Sequence, residues 1–217
     1  MATAQTLFSL KKSLTEEALS KSIGLVIRGK DSVSVVVKSN HVASFHELPN
    51  KNSNIFVWAI GGSELDVRNF RAEYLRFISR FSSIFSRRDV TIALIHDFAA
   101  NYLTSSLYDV RSIEPTSLEL ILGLVTQNSM VFYTLNYQGK GTIIDDLGEN
   151  ISIVGSYDSN RKQLVEGLAK INTLNISGQE TIKQITPLLR PFSGNIGALV
   201  CTITRVREKK QNKPRRK

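Results

Sequence analysis

The stretch that most constrains this chain is KSIGLVIRGKDSVSVVVKSN, from Lys21 to Asn40. Ile23, Leu25 and Ile27 alternate with smaller or polar residues, and Val33, Val35 and Val37 repeat the alternation beyond RGKDS, with Val36 added. Successive side chains of a strand leave the backbone on opposite faces, so branched residues at period two predict two strands. The Gly and Asp of RGKDS supply what a tight reversal between them needs. The chain therefore opens on a β-hairpin, and the question is what covers it.

The segments that follow alternate in type. NHVASFHELPNKNSN is looser, and Pro49 with three asparagines predicts a turn near Asn50–Asn54, which leaves His41 and His46 in a loop. IFVWAIGG, Ile55–Gly62, reads as a buried strand ended by its glycine pair. Ser63 with Asp66 forms a variant capping box before a long helix. Phe70, Tyr74, Phe77, Phe81 and Phe85 share one face of it, and Arg68, Arg71, Arg76 and Arg80 lie elsewhere around it. A second helix runs from an Asp89 cap to about Tyr108, with Ile92, Ile95, Ala99 and Tyr102 as its apolar stripe. Strands return in LELILGLV, MVFYTLNYQG, GTIIDDL and ISIVGS, with YQGKG as a hairpin turn. Two further helices follow, one in SNRKQLVEGLAKI and one from Ser177, with Glu180 in the capping-box position, to near Pro187. IGALVCTITRV is a last strand, and Thr15–Ser20 has the composition of a short helix ahead of the first strand. Strands, two helices, strands, two helices and a strand is not the regular alternation of a doubly wound sheet. It predicts an α+β chain in which two antiparallel sheets carry helix pairs on their outer faces, an arrangement that also accommodates strands apolar on both sides.

Composition narrows the function. No apolar run approaches the roughly 20 residues that span a bilayer. A single cysteine, Cys201, excludes a disulfide framework; it sits in an apolar run with no histidine near it in sequence, as a small buried side chain does. The net charge of +9 is unevenly placed: Arg205–Lys217 holds eight basic residues and one acid, net +7, which leaves +2 for the body. Such a tail is expected to be disordered in isolation and to act as a nuclear signal, a phosphate contact with nucleic acid or a dock for an acidic partner. It has no aromatic residue for base stacking.

Taken in order, these segments resemble the proteasome-type subunits of the N-terminal-nucleophile hydrolase fold. SIGLVIRGKDSVSVVV resembles the family's opening hairpin, and FVWAIGGSELDVRNF its strand, glycine break and long helix. LTSSLYDVR resembles the end of its second helix, LELILGLVTQNSMVFYTLNYQGKGTIIDD its central hairpin, and ISIVGSYDSNRKQLVEGL the entry to its third helix. The resemblance covers Ser22 to Val206. It implies a four-layer αββα sandwich over residues 21–206, behind a helical lead over 1–20 and ahead of a basic tail over 207–217.

Active members of that family cut peptide bonds with a threonine at the first residue of the processed chain, whose freed amine takes the hydroxyl proton. A lysine tunes the site and an aspartate after the second strand orients it. Carried onto this chain, the nucleophile position is Lys21, followed by Ser22; the aspartate position is Lys38; the tuning lysine falls near Leu48–Pro49, with Lys51 close by; and Ser20 stands where a glycine precedes the scissile bond. Lysine for aspartate inverts the charge that should hold the set together. Ser22 is the one substitute nucleophile, and it lacks its partners. The family's usual outer-class entry motif, and its arginine–proline–aromatic–glycine segment before the central strand, are also missing. The helical lead resembles the outer ring class, whereas SSLYDVR and GKDSVSVVV resemble a non-catalytic inner subunit.

The remaining candidates carry little chemistry. His41, His46 and Glu47 lie close in sequence, but a metal site gathers three or four convergent ligands, and His96 and Cys201 lie far off. GKGTIIDD lacks the Lys-Ser/Thr ending of a phosphate loop, so Asp145 and Asp146 read as a turn or strand end. The helix arginines, with Glu73 nearby, could be a solvated face, a subunit contact or a phosphate contact. No catalytic, cofactor-binding or metal-binding residue, and no cofactor, is expected. The expected function is that of a non-catalytic structural subunit in a large hetero-oligomeric, proteasome-like assembly of cytoplasm and nucleus, with no membrane or small-molecule partner. The alternative is recruitment of the fold into a ribonucleoprotein or organellar complex, with the tail on nucleic acid. The first fifteen residues, free of acids and holding Lys11 and Lys12, keep the mitochondrion as the alternative location.

Overall fold

In the computed structural model the described residues are 4–50, 53–85, 90–109, 111, 114–126, 129–145 and 149–202, and for residues 4 and 46–50 the description covers the backbone alone. Their order is α1 (Ala4–Leu19), β1 (Ile23–Arg28), β2 (Ser32–Ser39), β3 (His41–Asn50), β4 (Ser53–Gly61), α2 (Glu64–Ile84), α3 (Ile92–Tyr108), β5 (Leu118–Thr126), β6 (Met130–Leu135), β7 (Gly141–Ile144), β8 (Ile151–Gly155), α4 (Ser159–Leu168), α5 (Gly178–Ile185) and β9 (Asn195–Thr202). The chain is α+β, with two antiparallel sheets: β8-β1-β2-β9 and β3-β4-β5-β6-β7.

The opening hairpin forms as its alternation dictates, with Ile23 opposite Lys38 and Arg28 opposite Val33. Its two faces serve different cores. Val26, Val33, Val35 and Val37 meet Ile60, Ile121, Phe132 and Ile144 of the larger sheet, so the two sheets bury these faces against each other. Ile23, Leu25, Ile27 and Val36 point the other way, onto Leu164 and Leu168 of α4 and Ile185 of α5. The outer face of the larger sheet, with Ile55, Val57, Leu118, Leu120 and Leu122, packs on Phe70, Tyr74, Ile95, Ala99 and Leu103 of α2 and α3. Each such side chain taken fully from water contributes about 1.5–3 kcal/mol. Close approach of the sheets leaves Gly24 no room for a side chain: a Cβ there would lie 2.6 Å from Ile60 Cδ1.

Local signals set the helix ends. Asp66 N–H donates to Ser63 Oγ at 3.2 Å, and Glu180 N–H to Ser177 Oγ at 3.3 Å, the N-cap half of each predicted capping box. Asp66 Oδ2 also accepts the Ser117 N–H at 3.2 Å, tying the start of α2 to the start of β5. Phe70 and Tyr74 of the aromatic stripe are fully buried, Phe77 and Phe81 partly so, and Phe85 caps the helix in solvent, 53% exposed.

Three expectations are corrected. His41 to Asn50 is strand β3, not a loop: it pairs with β4 from His41 opposite Gly61 to Glu47 opposite Ile55, and its register breaks before Asn50. An edge position and that break accommodate Pro49, which has no N–H to give a ladder. α1 is a helix of 16 residues rather than a short one over Thr15–Ser20. Its buried stripe includes Lys11 and Thr15, which hides its amphipathicity from a hydropathy reading. α3 is capped by Thr91, whose Oγ1 accepts the Leu94 N–H at 3.2 Å; Asp89 lies outside the described residues. The tail segment 203–217 lies outside them too.

Candidate functional site

The end of the small sheet where β1 begins is the place to which the family resemblance assigns chemistry. Ser22 lies just before β1, and its hydroxyl lies 2.9 Å from that of Ser39, at the end of β2, both side chains buried. Ser39 Oγ also accepts the His41 N–H at 3.2 Å. The chain runs on into Ser22 from α1, and the Ser22 N–H donates to Leu19 O at 3.0 Å. The same carbonyl accepts the Ser156 N–H at 3.2 Å, so the end of α1 is tied to the ends of both β1 and β8. Gly155, at φ +83°, makes this junction possible: a Cβ there would lie 2.2 Å from Ser22 O.

The lysines at this end are engaged elsewhere. Lys21 is exposed, and its carbonyl accepts the Ser193 N–H at 3.0 Å. Lys38 points away from the Ser22–Ser39 pair, because alternation along β2 sends it to the α4–α5 face. There its Nζ donates to Leu189 O at 2.8 Å. Leu189 ends the 3₁₀ turn Thr186–Leu189 that continues α5, so an ammonium meets the carbonyl end of a helical segment, where the dipole favours positive charge. Ser22 thus has a second hydroxyl as its side-chain partner, not a base, and neither lysine reaches it through a described contact. Leu48–Pro49 lies along β3, and Lys51 lies outside the described residues.

A second cluster, which sequence reasoning missed, sits under α1. Glu119 of β5 is fully buried on the face of the strand that also carries Ile121, turned toward the other sheet. Its Oε1 accepts the Tyr157 hydroxyl and, at 3.4 Å, the Tyr137 N–H; its Oε2 is buried with no donor in hydrogen-bond geometry. Burial pushes this carboxyl up to about 7, against the pull of the Tyr157 hydroxyl, the Tyr137 N–H, the Arg161 charge and, least, the Gly155 N–H. Burial and the nearby carboxylate hold the Tyr157 hydroxyl far above its ordinary value. The Tyr137 hydroxyl donates to Glu16 of α1 at 2.7 Å, and burial followed by that bond raises it as well. The signal in the sequence was an acid inside the apolar run LELILGLV. The pair of tyrosines that meets it comes from segments far along the chain.

The remaining candidates are dispersed. His41 is on β3, while His96 is on α3, beside Asp97 and the Tyr133 ring. Among the described residues no three His, Cys, Asp or Glu side chains gather as metal ligands would. Asp145 follows β7, and its carbonyl accepts from Arg28 at 3.0 Å; Asp146 lies outside the described residues. On α2, Arg68 pairs with Glu64 and Arg76 with Glu73, and Arg71 lies over the Phe45 ring, leaving Arg80 exposed on the same helix. Burial pushes the Cys201 thiol up to about 11, so it is a poor nucleophile at neutral pH. An open groove of about 750 Å³ runs along α3 past Phe98, Tyr102, Tyr108 and Arg111, and none of the catalytic positions that the resemblance implies lines it. Among the described residues no helix is long and apolar enough to cross a membrane. No family model matches the chain, and no curated protein matches it.

Proposed function

We propose that this chain is a non-catalytic structural subunit of a proteasome-like multisubunit assembly, built on the four-layer αββα sandwich of the N-terminal-nucleophile hydrolases and acting through contacts with other subunits. The observation that carries this reading is Lys38: at the position that the resemblance gives to an aspartate, a lysine is spent on the carbonyl end of a helix, 2.8 Å from Leu189 O. Two sheets packed face to face, with α2 and α3 on one outer face and α4 and α5 on the other, support the fold. Exposed Leu10 and Leu14 on α1, Leu65 and Leu75 on α2 and Ile196 on β9 are apolar surface of the kind subunit contacts cover. Purification of the tagged chain from its own cells, followed by native mass spectrometry, tests the reading. Related chains of about the same mass in fixed ratio are expected; a lone chain refutes it.

The charge segregation favours a second reading, in which the fold is recruited into a nucleic-acid-containing complex: +7 lies in Arg205–Lys217 and +2 in the rest. Salt-dependent RNA retention that disappears when Arg205–Lys217 is deleted would select it.

A further inference from the structure

Glu119 and Lys11 are the two charged side chains buried among the described residues, Lys11 on α1 and Glu119 on β5, one tyrosine away from α1. Lys11 has a plain role: its Nζ donates to Ser106 O at 3.3 Å and Asp109 O at 2.5 Å, closing the carbonyl end of α3. Glu119 has no such return. It is a fully buried acid with one oxygen lacking a donor in hydrogen-bond geometry, and Tyr137 links it to α1, giving its N–H to Glu119 and its hydroxyl to Glu16.

We propose that Glu119 is a proton-operated latch for α1: protonated, it lets the helix rest over the ends of the two sheets, and ionised, it loosens that helix while the sheets stay intact. Tyr137 gives its N–H to Glu119 and its hydroxyl to Glu16 of α1, so two acids share one tyrosine. Tyr137 also joins Leu19 and Leu107, with Phe8 and Tyr157 packed against them, in the apolar cluster beneath the helix. Ionising Glu119 leaves a buried anion with one oxygen lacking a donor, and that anion gains by reaching water. α1 pairs with no strand, so its departure leaves the ladders of both sheets intact.

The titratable groups that face Glu119 are few. The β8–α4 segment brings Tyr157 and Arg161, and the β6–β7 turn brings Tyr137. Glu16 of α1 stands behind Tyr137, with Lys12 of the same helix 3.9 Å from its Oε1. β4 sets Ile60 opposite Glu119, and β1 has no titratable side chain from Ile23 to Ile27. Arg161 spends its guanidinium on the Gly155 and Ile153 carbonyls, so it offsets the charge without bonding the carboxylate. With the carboxyl held near 7 by burial, the latch works around neutral pH. This inference goes beyond the proposed function and does not need it, since it concerns the single chain.

Hydrogen exchange of the full-length chain tests it, with rates corrected for the intrinsic effect of pH. Protection of the amides from Phe8 to Leu19 is expected to fall about tenfold between about pH 6 and about pH 8, while β1 and β2 amides hold. In Glu119→Gln the α1 amides should be equally protected at both values. Tyr157→Phe removes a donor that favours the ionised form, so its loss of protection should move to higher pH, and this variant decides the matter if Glu119→Gln does not fold. Wild-type α1 protection that ignores pH would overturn the proposal. So would a pH response that survives in Glu119→Gln, or a midpoint unmoved in Tyr157→Phe.

Discussion

Replacing Lys38 by aspartate restores the residue type that the family resemblance assigns to that position, and it separates a structural lysine from a decayed catalytic one. The ammonium donates to Leu189 O at 2.8 Å, and a hydrogen bond from a charged group contributes about 1.5–3 kcal/mol. A positive charge at the carbonyl end of a helical segment adds about 0.3–1 kcal/mol. Lys38→Met keeps the apolar stem and gives up both, so a loss of about 2 kcal/mol is expected, the half-buried site placing it in the lower part of the range. Lys38→Asp also shortens the side chain and turns an anion toward a carbonyl that already carries negative charge, which raises the loss to about 3 kcal/mol. Urea unfolding followed by circular dichroism reads these differences as shifts of the midpoint at constant slope. Lys38→Asp should be the least stable of the three and should gain no peptide hydrolysis. Stability equal to that of the wild type would refute the structural role of Lys38, and with it the main support for the proposed function.

Three other outcomes are expected. Gly155→Ala should cost about 3 kcal/mol or more, because φ +83° strains any side chain and the new Cβ would meet Ser22 O at 2.2 Å; Gly197→Ala, with open space around it, should change the urea midpoint little. Glu119 binds its proton more tightly folded than unfolded, so global stability should fall as pH rises from 4.5 to about 7 and then level off. At about 1.4 kcal/mol per pH unit that fall is at most about 3 kcal/mol, and urea titrations across this window should lose it in Glu119→Gln. Ser22→Ala removes one buried hydroxyl pair with Ser39 and should cost about 1 kcal/mol in the same assay, with no peptide hydrolysis to lose.

Much of the fold was legible because its signals are local. Alternation in β1 and β2 gave both faces of the hairpin, and the Ser63–Asp66 and Ser177–Glu180 spacings gave the starts of α2 and α5. What escaped depends on distant partners. β3 carries Pro49 and a register break, and it is a strand because β4 lies beside it. α1 buries Lys11 and Thr15 while Leu10 and Leu14 remain exposed, which inverts the pattern a hydropathy reading seeks. Lys11 is tolerated because the carbonyls of Ser106 and Asp109, nearly a hundred residues on, receive its ammonium. At the candidate site, a lysine at the end of a valine-rich strand could be read from the sequence, but the bond of Lys38 to Leu189 O could not. Glu119 was visible as an odd acid in an apolar strand, yet its tie to α1 needed the tyrosines of two other segments.

Chemical silence at Ser22 can be measured directly. The natural chain, kept in whatever assembly it occupies, is incubated with a peptide electrophile that captures terminal hydroxyl nucleophiles, and its intact mass is then recorded. An unmodified chain that still carries the segment before Ser22 is expected. A chain that begins at Ser22 and holds one equivalent of the reagent would contradict it.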